Sequence, residues 1–170
     1  ALNREQQEAF EGLDRLARQE GAAVALLYGV TGSGKTQVYV RLIQEALSQG
    51  RTALVLVPEI ILTPQLLRIF ASHFGKRIAV LHSSLRAGER YDEWKRIRRG
   101  EAQVVIGTRS AIFAPLENLG LIILDEEQEV SYKSENVPRY HAREVAKYRC
   151  FQNNALLVLG SATPSVESMY

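Results

Sequence analysis

The stretch AVALLYGVTGSGKT, residues 23–36, joins an apolar run to a glycine-rich turn and the start of an amphipathic segment. Its first half is rich in Ala, Val and Leu without polar alternation, which predicts a strand covered on both faces. The glycines then allow a tight reversal of the backbone. A strand, a turn and a helix in this order begin a βαβ unit, so the stretch predicts an α/β fold with a parallel sheet.

Further apolar runs follow along the chain, and amphipathic segments lie between most of them. The predicted strands are 23–29, 52–58, 78–82, 103–108, 121–125 and 155–160, and the predicted helices are 3–19, 34–48, 63–74, 86–99 and 140–150. Helix boundary signals agree, with Thr63 and Pro64 as a cap and a first-turn proline. Glycines stand where helices should stop, at Gly50, Gly75 and Gly100. We therefore expect residues 1–170 to form a single domain, a three-layer sandwich of a mostly parallel sheet with helices on both faces.

Composition limits the classes of protein that fit. The chain has 170 residues, of which 46% are hydrophobic and 24% charged, with a formal net charge of +2, so it is an ordinary globular sequence that is mildly basic. No apolar run reaches the roughly 18 residues of a membrane span, and no secretory leader is visible, so we expect a cytoplasmic protein without a membrane partner. Cys150 is the single cysteine, which excludes an internal disulfide and a multi-cysteine zinc site.

Residues 29–36, GVTGSGKT, match the phosphate-loop pattern G-x-x-x-x-G-K-[ST] between a predicted strand and a predicted helix. Backbone N–H groups of such a loop converge on phosphate oxygens, and the helix N-terminus adds partial positive charge. The lysine reaches the β and γ phosphates and the hydroxyl ligates Mg²⁺. The loop predicts a P-loop NTPase fold and binding of ATP with Mg²⁺ through Gly29, Thr31, Gly32, Ser33, Gly34, Lys35 and Thr36.

The run LIILDEEQ, residues 121–128, ends a predicted buried strand in three acids. Clustered negative charge at a strand end needs a positive partner, and the phosphate loop points to Mg²⁺. Asp125, with Thr36, would hold the metal, mainly through water, and Glu126 would orient and deprotonate an attacking water. Lys35, Asp125 and Glu126 are thus the predicted catalytic residues, although the run alone also fits a strand that ends in a charged turn.

Several stretches occur in a familiar order: LNREQ (2–6), GVTGSGKT (29–36), VPEIILTPQ (57–65), GTRSAIF (107–113), LDEEQ (124–128) and GSATPS (160–165). Together they resemble the first motor lobe of superfamily 2 helicases, which has a RecA-like fold. PEIILTPQ, GTRSAIFAP and YHARE resemble, more narrowly, the bacterial primosomal replication-restart helicases. The resemblance covers residues 2–168, nearly the whole chain.

The resemblance implies roles for residues outside the two motifs. Gln6 would read adenine, since an amide presents both a donor and an acceptor. Two segments would follow the nucleic-acid backbone: Pro58, Glu59, Thr63 and Gln65, and then Thr108, Arg109 and Ser110. A coupling set would link the nucleotide site to the nucleic acid: Gln128, Ser161, Ala162 and Thr163. Capping by Thr63 is an equally simple reading and is compatible with the first role.

The polar loop between the strand at 121–125 and the last helix would sense single-stranded DNA in this family. Tyr132, Arg139 and Tyr140 interleave aromatic and basic side chains, which stack on bases and follow phosphates. Packing of Tyr140 at the start of the last helix remains an alternative. The loop departs from the family in having no Trp, and Gln128 stands where the family has His. Because Gln cannot become charged, we expect ATP binding to persist while coupling to DNA is altered.

The implied function is the ATP-binding lobe of a DNA helicase that translocates 3'-5' on single-stranded DNA and unwinds branched forks for replication restart. Its implied partners are single-stranded and branched DNA, a second helicase lobe, primosome proteins and single-strand-binding protein. Since the second lobe with its arginine fingers, the zinc-binding domain and the DNA-binding domain are not in these 170 residues, we expect ATP binding with negligible hydrolysis. A restriction-type superfamily 2 translocase, a small P-loop kinase or nucleotide switch, and a non-catalytic module with a relic loop stay open as alternatives.

Overall fold

The computed structural model describes residues 2–27, 33–82, 84–125 and 142–161. The helices and strands of these residues follow one another in the order that the sequence predicts. The helices are α1 Arg4–Arg18, α2 Ser33–Ser48, α3 Pro64–Phe74, α4 Ala87–Arg98 and α5 Ala142–Asn153. The strands are β1 Ala23–Leu27, β2 Thr52–Leu56, β3 Ile78–Leu81, β4 Val104–Gly107, β5 Leu119–Leu124 and β6 Leu156–Gly160. Two short 3-10 turns, Gly75–Arg77 and Arg109–Phe113, were not predicted.

The six strands form one sheet in the order β1-β6-β5-β2-β4-β3, and every neighbouring pair is parallel. Parallel strands need crossover connections. Helices supply them except between β4 and β5, where residues 108–118, with a 3-10 turn, make the connection. The predicted parallel sheet is therefore confirmed. All six strands point the same way, so their carboxyl ends lie along a single edge.

Two apolar clusters cover the two faces of this sheet. On one face α1, α2 and α3 bring residues such as Phe10, Ile43 and Phe70 against the strands. On the other face α4 and α5 bring Ile97 and Ala146 against them. This arrangement is the predicted three-layer sandwich, with the sheet as the middle layer.

Strand β1 departs from the prediction that both faces are covered. Ala23 and Ala25 pack against the cluster of α1 and α2, but Val24 and Leu26 are 50% and 37% exposed. The reason is position, because β1 is an edge strand of the described sheet while α5 packs over the neighbouring β5 and β6. An apolar run by itself does not show where in the sheet its strand will lie.

Helix α4 confirms the interpretation of 86–99 as a solvated helix with Trp94 and Ile97 turned inward. Two of its charged side chains cover the edge strand β3. Glu93 accepts a hydrogen bond from the backbone N–H of Val80 at 2.7 Å, and Arg96 donates to the carbonyl of Ile78 at 3.3 Å. Open strand edges invite pairing with other chains, and this pair occupies the edge of β3.

Among the helices in the described ranges, none combines the length and the apolar character that crossing a bilayer requires.

Cys150 provides a test of this core, because it is 1% exposed and burial raises the pKa of its thiol to about 12. The thiolate is the reactive form. We expect no alkylation of folded chain by iodoacetamide at pH 8 and complete alkylation in concentrated urea, as measured by mass spectrometry. Since the folded-state pKa lies above the usual 9.0, the stability contributed by this burial is present below about pH 9 and is lost as the pH rises toward 12. Rapid labelling without denaturant would contradict this packing of α5.

Candidate functional site

The candidate site lies along the carboxyl edge of the sheet, where the strand ladders continue one residue beyond the strands. Four backbone N–H groups donate to the last carbonyl of the neighbouring strand at 2.9–3.1 Å: Ser161 to Leu27, Asp125 to Leu56, Val57 to Gly107 and Thr108 to Leu81. These bonds fix the backbone of the first residues after β2, β4, β5 and β6. The segments predicted to act on nucleotide and nucleic acid therefore start from rigid points.

Buried polar side chains concentrate at this edge. In the described part of the chain, four polar or charged residues are buried, and the sequence predicts all four as site residues: Gln6, Lys35, Asp125 and Ser161. Burying such groups is costly unless they find partners. Contacts bring them together: Gln6 bonds to Gly34 beside Lys35, Lys35 bonds to Asp125, and Ser161 follows Gly160, which lies against Asp125.

Lys35 and Asp125 form a buried ion pair, with the ammonium nitrogen 2.9 Å from Oδ1 of the carboxylate. Lys35 lies in the first turn of α2 and Asp125 is the first residue after β5, so the pair spans 90 positions of the chain. Buried ion pairs often add no stability over well-packed apolar residues, because desolvation offsets the attraction. The pair is therefore better explained by chemistry at this edge than by folding.

Tyr39 is a site residue that the sequence reasoning missed. Its hydroxyl donates to the same Oδ1 of Asp125 at 2.6 Å, and the residue is 3% exposed. The available signal was its spacing, since Tyr39 lies four residues after Lys35 and so on the same face of α2. A buried tyrosine hydroxyl usually needs a hydrogen-bond partner, which was a second signal.

Gly160, the last residue of β6, allows this contact. A Cβ atom at that position would lie 1.8 Å from the Tyr39 hydroxyl and 2.9 Å from Oδ1 of Asp125. Any side chain would therefore displace the tyrosine hydroxyl. The glycine that opens the stretch GSATPS is therefore required by the close approach of the Tyr39 hydroxyl and the Asp125 carboxylate.

Gln6 ties α1 to the beginning of α2. Its side-chain nitrogen donates to the carbonyl of Gly34 at 3.1 Å, and its side-chain oxygen accepts from the N–H of Asn3 at 2.9 Å in a capping box. Both ends of the amide are thus engaged within the protein. A contact with adenine would require the amide to change at least one of these partners.

The beginning of α2 has the character of an anion site. Its first turn, SGKT, contains no acidic residue, and the helix is 16 residues long, so its N-terminal partial charge is not offset locally. Gly34 and Thr36 are partly exposed there, whereas Lys35 is buried. The Thr36 hydroxyl and the Asp125 carboxylate are oxygen donors of the kind that Mg²⁺ prefers. The residues present therefore fit a nucleotide with its metal.

The segment after β2 turns sharply at the same edge. Pro58 is buried, and its carbonyl accepts from the N–H of Ile61 at 2.9 Å, so Pro58 shapes the turn. Glu59, Thr63 and Gln65 are exposed. Thr63 caps α3 by accepting from the N–H of Leu66 at 3.1 Å, which confirms the predicted helix start.

The segment after β4 begins with Thr108 and the 3-10 turn Arg109–Phe113. Thr108 and Arg109 are partly exposed and Ser110 is exposed. A Cβ atom on the preceding Gly107 would lie 2.2 Å from the carbonyl oxygen of Leu81, so glycine is needed for β4 to end against β3. This segment lies beside the one that follows β2, because β2 and β4 are neighbouring strands and the N–H of Val57 donates to the carbonyl of Gly107.

Some predicted site residues cannot be placed. For Ser33 the structure describes only the backbone, which forms the first residue of α2. The following lie outside the described residues: Gly29, Thr31, Gly32, Glu126, Gln128, Tyr132, Arg139, Tyr140, Ala162 and Thr163.

Comparison with known proteins identifies relatives of this chain. The sequence model of the DEAD/DEAH box helicase family matches residues 3–170. The chain is 54% identical over 167 residues to replication restart protein PriA of Bacillus subtilis, which covers 98% of this chain and 21% of that protein. It is 52% identical over 170 residues to the PriA protein of Treponema pallidum, covering 100% of this chain and 25% of that protein. The chain thus spans about a fifth to a quarter of the length of these relatives.

Solved structures give the same fold. The structure of RecG bound to a three-way DNA junction matches 99% of this chain and 22% of its own, with a TM-score of 0.74 and 26% identity. The helicase domain of Hef from Pyrococcus furiosus matches 95% of this chain and 32% of its own, with a TM-score of 0.64 and 21% identity.

A double-mutant cycle tests the buried pair. Lys35→Met leaves a buried carboxylate without its ammonium partner, so we expect it to lower the free energy of unfolding by about 3–5 kcal/mol. Adding Asp125→Asn removes the second charge, and we expect the double variant to be more stable than Lys35→Met alone. Urea denaturation of the wild type, both single variants and the double variant measures the coupling. Simple additivity of the two single effects would show that the charges do not interact.

Proposed function

Since the chain belongs to the DEAD/DEAH box helicase family, we propose that it is the ATP-binding motor lobe of a DNA helicase that acts in replication restart. The observation that carries this proposal is the buried contact of Lys35 with Asp125 at 2.9 Å, at the carboxyl edge of a parallel sheet. The similarity to replication restart proteins over almost the whole chain supports the biological role. We propose residues 1–170 as a single ATP-binding domain of that helicase.

The nucleotide would be held at the beginning of α2. Lys35 and the backbone N–H groups of Gly34 and Thr36 would bind phosphate oxygens, as would the loop before them. Thr36 and Asp125 would hold Mg²⁺, which when bound neutralises charge on the phosphates. To bind phosphate, Lys35 must give up at least part of its contact with Asp125, because its ammonium now points at Oδ1. To contact adenine, the Gln6 amide would give up its hydrogen bond to Gly34 or the one to Asn3.

Glu126 is the proposed base for the attacking water. It follows Asp125 directly in the sequence, and the backbone of Asp125 is fixed by its N–H bond to Leu56. A carboxylate close to the γ-phosphate can orient water and accept its proton. Turnover in helicases of this kind also needs arginine fingers. We propose that these come from a second lobe, so the 170 residues alone bind ATP but hydrolyse it slowly.

Nucleic acid would lie along the other half of the same edge, past β2, β4 and β3. Exposed hydroxyl, amide and guanidinium groups suit contacts with phosphate and sugar, which position a strand without reading its sequence. The proposed contacts are Glu59, Thr63, Gln65, Thr108, Arg109 and Ser110, with Pro58 shaping the first turn, and also Tyr132, Arg139 and Tyr140, which follow β5 in the sequence. Because the RecG relative is bound to a three-way DNA junction, branched as well as single-stranded DNA is the proposed substrate.

Coupling between the two halves would use Gln128 with Ser161, Ala162 and Thr163. Ser161 is buried next to β1, where its N–H donates to Leu27 at 2.9 Å. The proposed direction of movement is 3'-5', and the proposed protein partners are primosome proteins and single-strand-binding protein.

Nucleotide binding tests the proposal most directly. We expect the 170-residue chain to bind Mg·ATP and Lys35→Ala to weaken binding at least tenfold, because the lysine contact with phosphate is lost. Lys76→Ala, which removes an exposed lysine, is the matched control and should bind as the wild type does. Titration calorimetry gives the affinities and thermal melts check that each variant is folded. Equal binding by Lys35→Ala and wild type would contradict the assignment of this site.

The same preparation tests hydrolysis, with phosphate release measured with and without single-stranded DNA. We expect binding without DNA-stimulated turnover. Robust turnover would mean that no second lobe is needed.

A charge-matched pair of variants tests the nucleic-acid half. We expect Arg109→Ala to weaken binding of a fluorescent single-stranded oligonucleotide about three- to tenfold. The slope of log affinity against log salt concentration should become shallower by about one, since one phosphate contact is lost. Arg98→Ala removes the same charge from the exposed face of α4 and should change neither quantity beyond about twofold. Fluorescence anisotropy at several salt concentrations measures both. Equal effects of the two variants would indicate a nonspecific charge effect in place of a site.

A further inference from the structure

We propose that Tyr39 is a positioning residue that holds Asp125 in place for the metal when Lys35 turns to the nucleotide, and that Gly160 is required for it to do so. This inference rests on the proposed function of the site. It assigns a task to a residue that no nucleotide-binding motif in the sequence includes. Three segments contribute to it: α2, the end of β5 and the end of β6.

One carboxylate oxygen accepts from two donors. Oδ1 of Asp125 lies 2.9 Å from the Lys35 ammonium and 2.6 Å from the Tyr39 hydroxyl. The shorter distance is that of a charge-assisted O–H···O⁻ bond, which is a strong type. The backbone of Asp125 is already fixed by its bond to Leu56. The hydrogen bonds from Lys35 and Tyr39 therefore restrict the rotation of the Asp125 side chain, which the backbone bond leaves free.

The Lys35 ammonium and the Tyr39 hydroxyl differ in how freely they can move to another partner. A lysine ammonium carries three donors on a flexible stem, so it can turn to a phosphate without a change in the helix. The Tyr39 ring is 3% exposed and belongs to the apolar cluster under α2. A rigid ring packed in a core has little freedom to leave its partner. When Lys35 exchanges its partner, the Tyr39 hydroxyl would stay on Asp125.

Gly160 sets the position of the hydroxyl. A Cβ atom there would lie 1.8 Å from the Tyr39 oxygen, too close for any side chain. The hydroxyl thus rests against the backbone of the last residue of β6, directly before Ser161. The orientation of Asp125 is consequently tied to the end of β6, where the proposed coupling segment begins.

The Mg²⁺ dependence of nucleotide binding distinguishes a positioning role of Tyr39 from a general structural role. Without Mg²⁺ the Lys35 ammonium would stay on Asp125 and keep the carboxylate in place, so loss of the tyrosine hydroxyl should change nucleotide binding little. With Mg²⁺ the carboxylate must meet the metal while Lys35 binds phosphate. Removing the hydroxyl should therefore weaken the metal-dependent part of nucleotide binding and spare the rest. Changes in groups that orient a metal ligand typically cost about 10- to 100-fold in metal affinity.

The experiment is binding of a fluorescent ATP analogue to the 170-residue chain in EDTA and across a Mg²⁺ series. Tyr39→Phe removes only the hydroxyl, and Tyr91→Phe is its matched control on an exposed ring. We expect Tyr39→Phe to keep its EDTA affinity within about twofold and to need about tenfold more Mg²⁺ for half-maximal enhancement. Tyr91→Phe should match the wild type. Gly160→Ala should shift the Mg²⁺ midpoint in the same direction as Tyr39→Phe.

The outcomes separate this inference from the function on which it rests. An unchanged Mg²⁺ midpoint in Tyr39→Phe, with normal wild-type binding, overturns the inference alone. An equal loss in EDTA and in Mg²⁺ also overturns it, since that is the result expected of a structural role. Failure of the wild type to bind the analogue under any condition overturns the proposed function and the inference with it.

Discussion

A parallel sheet imposes the constraint on which everything else in this chain depends: every strand must end at the same edge. Each crossover through a helix returns the chain to the opposite edge, so the first residues after the strands accumulate in one row. Lys35, Asp125 and Ser161 are far apart in sequence but meet there for this reason. Backbone hydrogen bonds that extend the ladders by one residue make the row rigid, and rigid positions suit side chains that must act together.

The order of the strands divides this row into two halves with different character. The half at β1, β6 and β5 holds buried charged and polar groups, whereas the half at β2, β4 and β3 presents exposed polar groups on two turns. They join between β5 and β2, where the N–H of Asp125 donates to the carbonyl of Leu56 at 2.9 Å. Leu56 leads within two residues to the turn at Pro58. The proposed metal ligand and the proposed nucleic-acid segment are therefore neighbours through the backbone, which is a short physical route for coupling.

The sequence predicts what depends on local pattern and misses what depends on position in three dimensions. Continuous apolar runs located the strands, and the Thr63 cap located the start of α3, because these signals act within a few residues. The exposure of Val24 followed from the place of β1 in the sheet, which no local pattern encodes. Tyr39 was overlooked because its partner is 86 positions away and tyrosine in an apolar helix face is usually core. Motifs recognise residues that touch a ligand more readily than residues that hold those residues in place.

The charges at the site imply an order to its chemistry. Asp125 is buried, and its carboxylate is now balanced by the Lys35 ammonium. If the lysine moved to phosphate alone, the buried carboxylate would lose this ammonium contact, which is costly in a low-dielectric setting. Mg²⁺ bound together with the nucleotide would offset that cost, because Asp125 would then face a divalent positive charge. ATP and Mg²⁺ should therefore bind cooperatively, each lowering the penalty that the other meets. In that case the Lys35–Asp125 contact would be the arrangement of the site before nucleotide binds, and a neutral donor such as the Tyr39 hydroxyl would keep the carboxylate oriented after the lysine turns to phosphate.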